Sequence, residues 1–339
     1  MKIAKLFLPL IIAALVCTSC VSQQNSADTA YSSDFFSENE TDSGDTIYSY
    51  SMRLSDGCES LTYSGENIKI KVNIENDETA VNLGFFVFVD GNITAILNNN
   101  DLCMKKISLA ANESKAIAIE IAPSGYKKGN KAQVNTVCIT EPDYMPSFTE
   151  GDSDYGSTHR AESLTSSLTF EKDTAKSGIT YLTKTIKSEF ITDDIRSTFD
   201  LAHDDYRTEI YEAALANSDP LKHYGLAPDR IEAFFGIENR GKSHVDIRNA
   251  EAGYSIVAFA TQNYRYRVTI FVDNIPVKTD DGYGSFDFEM KTEHYVQECF
   301  DLQLNKQKRS TVYAIAIPLA DNGQAFSRII STDPIGVLA

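Results

Sequence analysis

Apolar and polar positions divide the chain into two kinds of strand. Ile68, Ile70, Val72 and Ile74 alternate with Lys69, Lys71, Asn73 and Glu75, a period of two that predicts a strand with one wet face. Leu83 to Val89 follows as a nearly continuous apolar run and ends at Asp90-Gly91, a dipeptide suited to a tight hairpin turn. Ile117, Ile119 and Ile121 alternate again before Pro123, and Val134 to Thr140 predicts a further strand ending at Glu141-Pro142.

The pattern returns near the C-terminus. Val257, Phe259 and Thr261 predict a strand closing at Asn263, as the Ile68 strand closes at Asn76. Tyr266 to Asn274 (YRVTIFVDN) then sets itself against LGFFVFVDG. Tyr313, Ile315 and Ile317 before Pro318 match the Ile117 strand. Phe326 to Ile330 before Thr332-Asp333-Pro334 matches the Val134 strand. Four segments in one order predict an internal duplication. Short strands between polar turns predict a mainly β protein of two immunoglobulin-like sandwiches, at 47–150 and 236–339.

Between them, residues 151–235 read as a connecting region. Ser163 to Phe170 and Ile179 to Ile191 suit strands. Ile195, Phe199, Ala202, Tyr206, Ile210 and Ala213 share one helical face, capped by Thr192 and closed at Asn217 before Asp219-Pro220. Ala227 to Phe235 reads as a second short helix, with Pro228 in its first turn. On this alignment the second repeat gains about 13 residues between Asn274 and Leu304, an excursion holding Asp280, Asp281, Gly282, Tyr283 and Gly284. Loops on rigid scaffolds often carry binding, so Asp280, Asp281 and Tyr283 are candidate partner contacts. Deleting Thr279 to Ser285 is expected to spare the fold.

The N-terminus changes the picture. Lys2 and Lys5 precede an apolar run from Leu6 to Val16. As a helix the run spans only ~16 Å, well short of the bilayer core, and fits the apolar region of an export signal. The segment ending Cys17-Thr18-Ser19-Cys20 resembles the lipobox of bacterial lipoproteins, with Cys17 where leucine is usual. The resemblance covers residues 1–20 and implies a signal peptide at 1–19, cleavage before Cys20, lipidation of Cys20, and extracytoplasmic anchoring to the bacterial cell membrane through the acylated N-terminus. Ordinary cleavage near Ser19 or Ser22, releasing a soluble protein, is the alternative. Residues 20–46 then follow as an acidic tether expected to be disordered, since no Lys or Arg occurs between Leu6 and Arg53.

Charge narrows the partners. The chain holds 31 Lys and Arg against 48 Asp and Glu, a formal net charge of −17. Removing residues 1–19, which contain two lysines and no acid, brings it to −19. Such a surface repels nucleic acid and anionic headgroups. Cys58, Cys103, Cys138 and Cys299 are widely spaced, fit buried or free thiols, and offer no zinc pattern. A Cys58–Cys103 or Cys103–Cys138 disulfide is conceivable after export.

Catalytic motifs are weak. Ser124-Gly-Tyr-Lys127 has the S-x-x-K spacing without a K-T-G partner. Gly282-Tyr-Gly284 lacks a third glycine, and no histidine sits at ligand spacing. Glu150, Asp152 and Asp154 alternate in a glycine-flanked loop, a weak calcium candidate. Tyr264 and Tyr266 alternate with Arg265 and Arg267, which puts two tyrosines on one strand face as a candidate glycan platform. The reading is a non-catalytic, membrane-anchored binding or interaction scaffold with no cofactor other than that calcium candidate. A glycan-binding or glycan-processing sandwich and a transporter's solute-binding lipoprotein are the alternatives.

Overall fold

The computed structural model describes residues 48–99, 101, 103–145, 161–175, 182–199, 229–248, 253–260, 263–291, 294–304, 308–319 and 329–339. The expected signal, Cys20, the tether and the Glu150–Asp154 calcium candidate lie outside these residues, as does the expected helix beyond Phe199.

The protein is mainly β, built from four stacked sheets that form two sandwiches. In the first sandwich, sheet 1 joins β1 (Tyr50–Leu54), β3 (Ile68–Asn76) and β7 (Ser114–Ile121) in the order β1-β3-β7. Sheet 2 joins β2 (Ser60–Tyr63), β9 (Ala161–Phe170), β8 (Lys131–Thr140), β4 (Val81–Val89) and β5 (Asn92–Thr94) in that order. β6 (Lys105–Leu109) also pairs with β4. β2 runs parallel to β9, while the remaining pairs of this sandwich are antiparallel. A first strand split between the two sheets, its second half parallel to the last strand, is the immunoglobulin-like arrangement.

The second sandwich repeats this order. Sheet 4 carries β12 (Asp229–Phe235), β14 (Tyr254–Ala260) and β18 (His294–Phe300). Sheet 3 carries β13 (His244–Asp246), β21 (Ile335–Leu338), β19 (Arg309–Pro318), β15 (Tyr264–Val272) and β17 (Tyr283–Met290). β16 (Ile275–Pro276) pairs with β15, β20 (Ile330–Ser331) pairs with β19, and β13 runs parallel to β21 as β2 does to β9. Two extra strands, β10 (Leu182–Lys187) and β11 (Glu189–Phe190), add to β17 and β18.

A shared turn fixes which strands correspond. The Asp90 amide donates to Gln133 O at 2.9 Å and its carboxylate accepts from Gln133 N at 2.8 Å. The Asp273 amide donates to Thr311 O at 2.9 Å and its carboxylate accepts from Thr311 N at 2.9 Å. Both turns place two consecutive residues at positive φ, Asp90-Gly91 and Asp273-Asn274. This backbone suits Gly, Asn and Asp and matches the twist of a hairpin.

The turn therefore makes β19 the counterpart of β8, which corrects the expected match of the Tyr313 strand with the Ile117 strand. The counterpart of Ile117–Ile121 is β18, and the last strands β20 and β21 correspond to β9 rather than β8. The supposed excursion between Asn274 and Leu304 is itself β17 and β18. Alternation misled because Ile315 and Ile317 repeat the spacing of Ile117 and Ile119 while facing a different neighbour. The Asp-to-acceptor separation is 43 residues in the first repeat and 38 in the second, so the second is the shorter. Tyr283 to Ser285 belong to β17, and Ser285 is 3% exposed. Deleting 279–285 would cut a strand, contrary to the expectation that the fold is spared.

The expected connecting region also divides differently. β9 belongs to the first sandwich and β10 to β12 to the second. Ala227–Phe235 is not helical at its described end: β12 pairs along its whole length with β14, because Ile231 and Phe235 alternate into the core beneath. Helix α1 (Asp193–Thr198) starts where expected, with Thr192 Oγ1 accepting from Ile195 N at 3.3 Å. Phe199 and Ile195 lay it over Phe234, Val257 and Phe259 on the outer face of sheet 4.

Each sandwich has its own core, and a third core joins them. β4 sends Leu83, Phe85 and Val87 toward sheet 1 and Phe86 and Phe88 toward the second sandwich. β19 sends Val312, Ala314 and Ala316 inward and Tyr313, Ile315 and Ile317 toward the first sandwich. Phe86 and Phe271 meet with ring centroids 4.7 Å apart, and Phe271 stacks on Tyr313 at 5.2 Å. Burying a large apolar side chain contributes roughly 1.5–3 kcal/mol, so this cluster binds sheets 2 and 3 face to face.

Candidate functional site

Two inner sheets that bury each other leave function to the outer faces, the loop ends and the strand edges. The outer face of sheet 1 is polar, with Arg53 3.2 Å from Glu75 across β1 and β3. A shallow cleft of about 520 Å³ there is lined by Arg53, Ser55, Asp56, Lys71 and Asn73.

The candidate residues separate. Tyr264 and Tyr266 lie on β15, 1% and 0% exposed. The alternation was read correctly, but its tyrosine face packs into the second core, so these rings present no glycan platform. Arg267, on the opposite face, joins the two sandwiches. Its guanidinium donates to both oxygens of Asp287, at 2.7 and 2.9 Å, and to the Asp90 carbonyl at 3.1 Å. Burial works against its charge, but Asp287, with Tyr126 and Asp90, outweighs this and holds its pKa above the ordinary value. This arrangement is structural: a fork-shaped donor satisfies a carboxylate that is itself almost fully buried.

Asp280 and Asp281 are exposed at the tip of the turn before β17, and Tyr283 opens that strand half-buried. Gly282 takes a φ of +84° there, and its amide donates to Thr279 O at 2.8 Å. Thr279 bridges to Leu302 and the Asp280 amide donates to Asp301 O, so the turn is tied to the end of β18. The structure brings the Asp281 carboxylate near Lys184 of β10, whose pKa is raised chiefly by its bond to Glu298, with Asp281 contributing.

The four cysteines described are free thiols. Burial pushes Cys103 and Cys138 up, away from the reactive thiolate. Among the described residues no three His, Cys, Asp or Glu side chains gather as metal ligands, and no helix is long and apolar enough to cross a membrane.

What the sequence reading missed is the edge formed by β10 and β11. Leu182 to Lys187 runs parallel to β17 from Tyr283 to Glu289, and Glu189-Phe190 crosses to pair with Tyr295 and His294 of β18. Ile186 enters the core, 7% exposed, and Lys184 Nζ reaches Glu298 Oε1 at 2.6 Å. One strand thus closes the open side of the second sandwich. Lys184, Thr185, Ile186 and Lys187 carried a faint strand signal but no sign of which edge they would join.

No protein-family model matches the chain, and no curated protein matches it. Solved structures share sandwich architecture at low identity. The CARDB domain of the PF1109 protein from Pyrococcus furiosus, solved with di-metal ions, is 12% identical, covers 37% of this chain and 96% of its own, and gives a TM-score of 0.24. The CsuC-CsuE chaperone-tip adhesion subunit pre-assembly complex of Acinetobacter baumannii is 8% identical, covering 85% of this chain and 99% of the other at a TM-score of 0.20. The E. coli chaperone DraB is 8% identical, covering 86% and 96% at 0.23. The immunoglobulin-like assignment stands on the strand pairings themselves.

Proposed function

We propose that the protein is a non-catalytic interaction scaffold, exported and held at the outer side of a bacterial membrane by a lipid on Cys20. The observation that carries the scaffold reading is the third core, where Phe86, Phe88, Phe271, Tyr313, Ile315 and Ile317 weld two sandwiches into a four-layer block. A rigid block of this kind presents fixed edges and loop ends to a macromolecule. The anchor rests on the lipobox resemblance at Cys17-Thr18-Ser19-Cys20, and residues 20–46 serve as the tether. The burial of Tyr264 and Tyr266 removes the feature that favoured a glycan-binding reading.

Cys20→Ser is the test of the anchor. The variant is expected to leave the membrane fraction and lose incorporation of labelled palmitate; a variant still membrane-bound and labelled would refute the assignment. Crosslinking at the cell surface from a photoreactive residue placed at Asp281 or Lys105 tests the scaffold. A discrete protein adduct supports it, and turnover of a substrate by the purified chain would overturn it.

A further inference from the structure

The strand that closes the second sandwich is held less firmly than the sheet it closes. β10 lies parallel to β17, a pairing slightly weaker per residue than the antiparallel pairs of the same sheet. Its register breaks between Leu182 and Thr183. Of the three apolar residues from Leu182 to Phe190, Ile186 alone enters the core, opposite Phe288. The other two face out at the ends, Leu182 at 61% and Phe190 at 70% exposed. β11 adds two residue pairs to β18, with the Phe190 and His294 ring centroids 4.0 Å apart.

The sandwich plan is complete without this strand. Among the described residues no second strand pairs with β6, the counterpart of β17, yet the first sandwich buries Phe85, Val87 and Ile119 in its own core. Segments with few buried side chains open before a domain unfolds as a whole. Opening here would uncover an apolar groove, because Phe286 and Phe288 of β17 and Val296 of β18 belong to the second core.

The present occupant defines what fits that groove. Thr183 Oγ1 lies 2.7 Å from Ser285 Oγ, Lys184 Nζ lies 2.6 Å from Glu298 Oε1, and Ile186 takes the apolar position. A second copy of this chain carries the same hydroxyl, cation and branched side chain at the same spacing. We propose that β10 and β11 exchange between two copies, each copy seating the other's Leu182–Phe190 segment along β17 and β18. A reciprocal exchange reproduces every contact of the single chain and closes on two copies. The inference goes beyond the scaffold reading, which it extends from single blocks to pairs, and holds whether or not Cys20 carries a lipid.

The test places one cysteine on the strand and one on the groove, in soluble chain 20–339 carrying Cys20→Ser and Cys299→Ser. A chain with both Thr183→Cys and Ser285→Cys should close a disulfide within itself when dilute, because the two hydroxyl oxygens lie 2.7 Å apart. Failure to close would take β10 off β17, and the inference would fall with it. Chains carrying Thr183→Cys alone are then mixed, concentrated and under oxidation, with chains carrying Ser285→Cys alone. Ser285 is buried, so its cysteine is reached when its own β10 leaves and the other chain's strand takes its place. The mixed disulfide dimer should form at least tenfold faster than with chains carrying Thr62→Cys, an exposed position of β2. A peptide of residues 181–191 in excess should suppress the dimer, and the same peptide with Ile186→Asp should not. Equal rates for the Ser285→Cys and Thr62→Cys chains, or a dimer indifferent to the peptide, would mean chance collision and overturn the exchange.

Discussion

The two sandwiches share a strand plan, a hairpin turn and an Asp that clamps the strand opposite, yet they solve their burial differently. The first fills its largest buried sites with Phe85, Phe86, Phe88 and Phe170, while the second adds Tyr254, Tyr264, Tyr266 and Tyr313 to Phe234, Phe235 and Phe271. The position corresponding to Gly84 in the first is Arg267 in the second. A Cβ at Gly84 would lie 2.7 Å from Met104 Sδ and 3.0 Å from Pro142 Cβ, so the first sandwich packs backbone against its own Met104 and Pro142 where the second extends a charged fork. Among the described residues no second strand pairs with β6, where β10 closes β17 in the second. Duplication preserves the turn and register because backbone geometry requires them. Faces and edges diverge because they answer to whatever covers them.

The largest effect should come from breaking the Arg267–Asp287 ion pair of the second sandwich. Arg267→Met takes the fork from buried Asp287, leaving it Arg265 Nη2 at 3.6 Å, and should cost up to about 3–5 kcal/mol in chemical denaturation. Adding Asp287→Leu should restore most of the loss. If the single variant were nearly neutral, the pair would not hold the junction.

Phe271→Ala tests the third core. Loss of a fully buried ring should cost roughly 3–5 kcal/mol, and calorimetry should resolve two transitions where the parent gives one. A single cooperative transition in the variant would show that other contacts couple the sandwiches.

Ile186→Ala sharpens the contrast of edges. Ile186 is 7% exposed in the second core, so its truncation should cost about 2–4 kcal/mol. Ile107→Ala, on the half-buried open edge, should cost clearly less when both are followed by urea unfolding. Equal losses would mean that β10 adds no more to its sandwich than the open edge lacks.

Alkali should separate the cores more gently. Burial raises the pKa of Tyr254 and Tyr313 above the ordinary tyrosine value. A raised folded-state pKa gives stability that is complete below pH ~10, the unfolded value, and is lost as pH rises through it. Each such tyrosine contributes a slope of about 1.4 kcal/mol per pH unit above pH ~10. Tyr254→Phe should flatten the alkaline fall measured by denaturant titration between pH 9 and about 11.5. An unchanged slope would show that Tyr254 is not held protonated by the fold.

The smallest effect concerns the feature the repeats share. Asp90→Ala and Asp273→Ala each remove an acceptor from a backbone amide, an interaction of about 1–2 kcal/mol. Asp273→Ala should cost slightly more, because Asp273 also accepts from Ser310 Oγ at 3.1 Å and from Lys308 Nζ at 2.7 Å, whereas Asp90 adds Tyr126 Oη at 3.0 Å. A reversed order would show that the two turns are not equivalent.

Much of the strand content was legible from spacing. Ile68 to Ile74 predicted a strand with one wet face, and Lys69 and Lys71 are exposed on β3. The run Leu83 to Val89 predicted a nearly continuous apolar strand, and all of it is buried. The Asp90-Gly91 pair predicted a turn, and both it and the matching Asp273-Asn274 adopt positive φ. The candidate surface was less legible. Tyr264 and Tyr266 were placed on one face, but whether that face was wet or dry is a property of the neighbouring sheet. Asp280 and Asp281 were placed in a turn, but the strand directly after them was taken for loop. Ala227–Phe235 carried helical cues, and pairing with β14 overrode them.

By itself, the sequence determined the period of each strand, the sign of the surface charge and the places where the chain must turn. These follow from side-chain solvation and local backbone sterics, which act over a few residues. Tertiary structure decided that sheet 2 would bury its outer face against sheet 3, that β19 corresponds to β8, and that β10 would close the second sandwich against β17. Those outcomes depend on which surfaces meet across 100 or more residues of chain, as Lys184 meets Glu298 at a separation of 114. No local pattern encodes such a meeting.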